Sequence, residues 1–423
     1  MRFAVFRARW YPGYWGGSAL QMAGDNAEHA ITYWVMWQYF HSPLLAGFAV
    51  VSHWVPHLLF SIPFGALADR YDARRIVQVA AGLFMVASVC WGVLILTGTL
   101  QAWHAVVLLL VHGFASALWH PADKVLLYDM VGRDLLPSGI RLVATAISLG
   151  QVVGPAFGAL LLFTVGPGLG MLLNVLVYIP FFVYLFALPY TGHRRGGQAV
   201  TRMRLRDVFS VLRDLPRYPA VLVVMTLQAA IGLLIGVALM PLLPEFSELL
   251  GIDDSGVAYA LLLIAMASGA VLGGVALEAI GRLRPDPRLA VIGGALFAAA
   301  VLTFALSREV AVSLAALFVA GIATIVADSA SQTVVQLEAP DDRRGRFVGA
   351  AQVTSMGSRA GSGALIGILA TGVGVSAAVA IDAALLLLIA LALLAVLLTR
   401  AARGRAGSAE ETVTATASRS ARS

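Results

Sequence analysis

Apolar runs of about 20 residues, each nearly free of charge, recur along almost the whole chain, and that is the helix length a bilayer core of about 30 Å demands. They fall near 14–40, 44–66, 74–97, 104–128, 139–163 and 168–189, and again near 219–244, 256–280, 288–306, 310–332, 347–371 and 375–399. A polar segment, Thr191 to Tyr218, separates the two sets. Outer-membrane strands are shorter, about ten residues, and alternate with period two, so the runs read as helices. The expectation is an all-α polytopic membrane protein of 12 transmembrane helices. The expected units are a six-helix bundle over 1–190, a cytoplasmic central loop over 191–218, a second bundle over 219–400 and a disordered cytoplasmic tail over 401–423.

Charge supplies an independent test. The chain is 59% hydrophobic and only 12% charged, with a formal net charge of +6. Its bases are arginines in short clusters between apolar runs, an arrangement that suits anionic lipid headgroups rather than nucleic acid. Bases collect in cytoplasmic loops. Here 27 of the 29 Lys and Arg fall in alternate loops and the two tails, leaving Arg308 in an outer loop and Arg359 inside an apolar run. Both termini are therefore expected in the cytoplasm, in a cell (inner or plasma) membrane, with the first helix retained. The acidic loop from Pro244 to Ser255 is expected outside.

Several chemistries find no footing. The single cysteine, Cys90, allows no disulfide framework and no cysteine-based metal site. The only lysine, Lys124, is not in a phosphate-binding loop, so ATP drive is not expected. No hydrolase triad or His-Glu-x-x-His frame appears, so neither an enzyme nor a cofactor is expected.

The halves repeat. Gly65-Ala-Leu-Ala-Asp69-Arg70-Tyr-Asp-Ala-Arg74-Arg75, between helices two and three, shares its Gly-x-x-x-acid frame with Gly274-Val-Ala-Leu-Glu278, which continues to Gly281, Arg282 and Arg284. Gly150 and Gly154 of helix five recur as Gly357 and Gly361 of helix eleven. A six-plus-six duplication explains both spacings, and two similar bundles can rock about a site between them.

On these residues the chain resembles the major facilitator superfamily. The loop Gly65, Asp69, Arg70, Arg74 and Arg75 is similar to its signature Gly-x-x-x-Asp-Arg-x-Gly-Arg-Arg, with Asp72 and Ala73 in place of the second Gly and first Arg. Gly65 would permit close helix approach and Asp69 would accept from a helix N-terminus or an Arg. Gly150-Gln-Val-Val-Gly154-Pro155-Ala-Phe-Gly158 is similar to the pattern carried by the superfamily's exporters. Its alternative is generic small-residue packing. The resemblance implies two pseudo-symmetric six-helix bundles. Family members often carry an Arg three residues before a Gly in helix four, where this chain has Leu110 before Gly113, with His112 beside it.

Polar residues at membrane depth are expensive unless they face a cavity or a partner. Asp25, Glu28, His29 and Thr32 share one face of helix one, and at about 1.5 Å per residue Asp25 lies about 16 Å in. They could bind or pass a proton, or lock helix one as an ion-pair cluster. Arg359, about 18 Å into helix eleven, is the expected partner of Asp25 or Glu28, or of an anionic substrate. Asp123 and Asp328 lie nearer the cytoplasmic mouth, as gate or snorkelling groups. His53 and His57, one turn apart, are expected to pack rather than to bind metal.

The resemblance extends over residues 10 to 400 and is nearest to bacterial enterobactin exporters and macrolide-efflux proteins. It implies a monomeric, proton-coupled antiporter that exports an amphipathic small molecule such as a drug, siderophore or secondary metabolite. A nutrient importer and a non-transporting receptor are the alternatives.

Overall fold

The computed structural model describes residues 4–193, 211, 213–251, 257–280, 286–340 and 344–420. Gly281, Arg282, Arg284, Asp253, Asp254 and most of the central-loop arginines lie outside the described residues, as does the side chain of Glu278.

Twelve long helices are present among the described residues. They are α1 (Tyr11–Phe40), α2 (Pro43–Ala68), α3 (Ala73–Leu96), α4 (Ala102–Gly132), α5 (Asp134–Val165) and α6 (Pro167–Ala187). The second set is α7 (Pro219–Leu249), α8 (Val257–Ile280), α9 (Pro287–Leu306), α10 (Val310–Glu338), α11 (Arg344–Val373) and α12 (Val375–Ser420). Pro43, Pro167, Pro219 and Pro287 open their helices, where a missing N–H costs nothing. Ser42, Asp72 and Asp286 cap α2, α3 and α9.

Three expectations change. Helices α4 and α5 form one helical run, Ala102–Val165, bent where Gly132 takes φ 71°. Helix α7 runs past the expected end: after a 3₁₀ segment, Gly236–Leu242, Pro244 starts a last turn that reaches Leu249, so Glu245 and Glu248 are helical rather than in a loop. Residues 401–420, expected to lack regular structure, continue α12 to Ser420; the Ala, Arg and Glu residues favour this, against the Gly, Ser and Thr interspersed among them.

Ten of the twelve helices are long and apolar enough to cross a membrane by length and composition, and between 22% and 56% of each such window is buried. The remainder faces outward as apolar stripes, such as Leu169, Leu173, Leu176, Ile179, Val183 and Phe186 on α6, which lipid tails accept. The two helices that miss the apolar threshold, α1 and α11, are 30 residues long and carry the polar residues.

The repeat is visible in packing. Gly113 of α4 meets the Ser52 carbonyl of α2, and Gly321, 208 residues on, likewise brings α10 against the Met266 carbonyl of α8. The halves touch through α2 with α11 and α5 with α8. These contacts cluster at the end remote from the chain termini. There Gly47 lies against Gly363 and Gly367, the Tyr259 hydroxyl donates to the Ala30 carbonyl at 2.9 Å, and Gln38 Nε2 donates to Glu248 Oε1 at 3.2 Å.

Candidate functional site

Helix α1 is held by the glycine stripe of α5. A Cβ at Gly150 would stand 2.7 Å from the Ala19 carbonyl, one at Gly154 2.6 Å from that of Ala23, and one at Gly158 2.6 Å from that of Ala27. No side chain fits, so the motif sets how close α5 lies to the segment carrying Asp25 and Glu28. Pro155 is buried in the same stretch. The counterpart glycines differ: Gly357 has open space and Gly361 meets only the Leu233 side chain.

Seated this way, α1 aims its acids at α2, α3, α4 and α6. Glu28 is 2% exposed and accepts from the Ser88 hydroxyl, from His112 Nδ1 at 2.9 Å and from the Tyr178 hydroxyl at 3.4 Å. Asp25 Oδ1 lies 2.8 Å from His112 Nε2. His29 Nδ1 donates to the Asp25 carbonyl at 2.8 Å and stands 3.8 Å from Asp25 Oδ2. An imidazole between two carboxylates meets both when each ring nitrogen carries a hydrogen or a metal.

His112 is therefore the partner expected of Arg359. The sequence signal was its place beside Gly113, the glycine that brings α4 onto α2. Across that contact His53 joins the cluster, its ring centroid 5.0 Å from that of His29 and 5.7 Å from that of His112. His57 turns the other way, Nε2 2.9 Å from Ser116 Oγ, with its ring 4.9 Å from that of His120. Asp123 lies apart from the acids of α1 in its bonding, accepting from the Tyr14 hydroxyl, but Asp25 and Asp123 line one narrow cavity of about 40 Å³.

Arg359 serves the other half. Its guanidinium lies over the Trp54 ring of α2, 5.1 Å from the centroid, and within electrostatic reach of Asp328. Gln228 Nε2 donates to Asp328 Oδ1 at 2.8 Å. These three residues, with Gln332, Gln336 and Ser355, line a cavity of about 180 Å³ that extends toward the end bearing the termini. Sequence reasoning missed Gln228, an amide in an otherwise apolar helix. Asp382 of α12 is buried, and its Oδ2 has no hydrogen-bond partner.

The loop motif divides. Gly65 has open space around it and so makes no close helix approach, and Asp69 is exposed at the end of α2. Asp72 does the structural work: its Oδ1 accepts from the amides of Arg74 and Arg75, and its Oδ2 holds Arg74 Nη2 at 3.0 Å. Arg74 Nη1 then donates to the Leu188 carbonyl at 2.7 Å, tying the loop to the end of α6. Arg70 is exposed.

Twelve helices in two similar halves, with ionisable groups buried at their centre, define a multi-pass membrane carrier of the major facilitator type. The chain matches the family described as transmembrane secretion effector (MFS_3) over residues 1–415, and it belongs to that family. Among solved structures it is similar to a D-xylose–proton symporter (TM-score 0.68, 15% identity, covering 91% of this chain and 97% of that one). The nucleoside transporter NupG aligns with TM-score 0.67 and 13% identity over 92% and 98% of the two chains. An inward-facing, unoccupied bacterial homologue of the human lysosomal transporter Spinster aligns with TM-score 0.63 and 15% identity over 94% and 96%. At these identities the likeness is one of fold. An uncharacterised MFS-type transporter of Schizosaccharomyces pombe is 28% identical over 129 residues, 30% of this chain; the match spans about a quarter (26%) of that relative's length.

Proposed function

We propose that the chain is a proton-coupled antiporter that exports an amphipathic small molecule, in the manner of the enterobactin and macrolide exporters its motifs resemble. It acts as a carrier, not a catalyst. The observation that carries the reading is Arg359, a cation at membrane depth set between an acid of its own half and an aromatic ring of the other, above a cavity open at one end. Such a group is retained where it meets a ligand or a partner that changes during the cycle. The arginine distribution supports a cytoplasmic position for the end bearing the termini, which puts the closed contacts of α2 with α11 outside. A cytoplasmic molecule reaches Trp54 and Arg359 with its apolar and polar parts respectively. Protonation of Asp328 from the outside would free Arg359 from its counter-charge and reset the pair. Export, rather than import, is supported by the glycine–proline stripe of α5 and by the secretion description of the family.

The test uses bacterial cells stripped of other pumps and loaded with a panel of amphipathic probes, ethidium and erythromycin among them. Expression should lower retention of at least one probe, a protonophore should abolish the effect, and Arg359→Ala or Asp328→Asn should reduce it at least tenfold. Extrusion indifferent to the protonophore, or a panel retained in full, contradicts the reading.

A further inference from the structure

We propose that His29, His53 and His112, with Asp25, form a binding site for a divalent transition-metal ion of the Zn²⁺ class inside the first six-helix bundle. Three helices deliver the imidazoles: α1, α2 and α4. The nitrogen donors of His29, His53 and His112 all lie within 4.8 Å of one another. Ligands of a tetrahedral zinc, each about 2.1 Å from the ion, sit about 3.4 Å apart, so small side-chain rotations close the site.

The hydrogen bonds around the cluster already prepare the ligands. His112 Nδ1 donates to Glu28, and His29 Nδ1 donates to the Asp25 carbonyl, which leaves a lone pair on Nε2 of each ring. This is the carboxylate–histidine and carbonyl–histidine support that fixes metal-bound imidazoles. At the centre His53 Nδ1 is buried without a hydrogen-bond partner, and Asp25 Oδ1 and His112 Nε2 face only each other. Asp25 Oδ1 and His112 Nε2 are 2.8 Å apart, closer than the about 3.4 Å between two ligands of one tetrahedral ion, so the carboxylate would swing back by about half an ångström to join the site.

Charge points the same way. Among the described residues, the partners of the Asp25 and Glu28 carboxylates are His, Ser and Tyr side chains, with no Lys or Arg. With His112 as an imidazolium the two carboxylates keep one net negative charge and with it neutral they keep two, so a divalent cation that replaces the His112 proton neutralises the cluster. The donor set of imidazole and carboxylate, without thiolate, suits Zn²⁺, Co²⁺ or Ni²⁺ better than Mg²⁺ or Ca²⁺. All four ligands belong to one half, so the ion rides with that bundle and does not clamp the two halves together. The inference is independent of the export reading, because binding is measured without transport.

The test takes the full chain, purified in detergent without a histidine tag and stripped with a chelator. Titration with ZnCl₂ against a chromophoric competitor should give one ion per chain, and MgCl₂ should give none. His53→Ala and His112→Ala should each weaken binding at least about tenfold, and His193→Ala, an exposed histidine elsewhere, should not. X-ray absorption of the wild-type complex should show imidazole scattering from three ligands, and this decides the matter even where a variant does not fold. Absence of stoichiometric Zn²⁺, a coordination shell without imidazole, or folded His53 and His112 variants that bind as wild type would overturn the proposal.

Discussion

Glu28 accepts from Ser88, His112 and Tyr178, three donors on three different helices, at a depth where each polar group needs a protein partner. Removing the acceptor leaves all three unpaired, at about 1–3 kcal/mol apiece. Glu28→Ala should therefore lower the melting temperature of the purified protein clearly more than Glu28→Gln, which keeps a carbonyl oxygen in place. An alanine variant as stable as wild type would show that the network is incidental. Arg359 illustrates the opposite lesson at the same scale. Its depth was legible in the sequence, but its partner was not, because depth counted along each helix favoured Asp25 and Glu28 over Asp328, placed nearer the cytoplasmic mouth. Only packing distinguishes them, and packing gives Arg359 to Trp54 and Asp328.

Among the helices, α5 on α1 is the contact most specified by local sequence. Gly150, Gly154 and Gly158 recur every four residues, and in each case an added Cβ would collide with the backbone or Cβ of α1. Gly154→Ala should destabilise by about 1–3 kcal/mol, read as a loss in melting temperature, while Gly357→Ala, with open space about it, should be neutral. Equal losses at the two positions would mean that the repeat is functionally symmetric, against the geometry. This asymmetry was hidden in the sequence, where the two pairs look alike. Helix number was legible, because twelve charge-poor runs and alternating arginine clusters constrain it jointly. The ends were less so: Pro244 reads as a breaker but opens a further turn of α7, and Asp72 reads as a departure from the loop motif but caps α3. His112 went unpaired because a residue on α4 meets α1 only through the Gly113–Ser52 approach, which no spacing within either helix encodes.

For the molecule as a whole, the two halves meet at the end remote from the termini, and the cavity of the second half extends toward the other. A carrier built this way must separate α2 from α11 to expose its centre on the closed side. At the Gly47, Gly363 and Gly367 contact backbone lies against backbone, with Val50 beside Gly363, and among the described residues no ion pair there has to break for the helices to part. At the same end Gln38 and Glu248, from opposite halves, are hydrogen-bonded at 3.2 Å through the tips of two long side chains, so cysteines placed there lie within reach of a short bifunctional thiol reagent. The decisive measurement is extrusion of a transported probe by the Gln38→Cys/Glu248→Cys protein in a Cys90→Ser background, before reaction with a bis-methanethiosulfonate cross-linker, after it and after reduction. The alternating-access account predicts that the cross-link forms, stops extrusion and releases it again on reduction. Full transport by the cross-linked protein would contradict it.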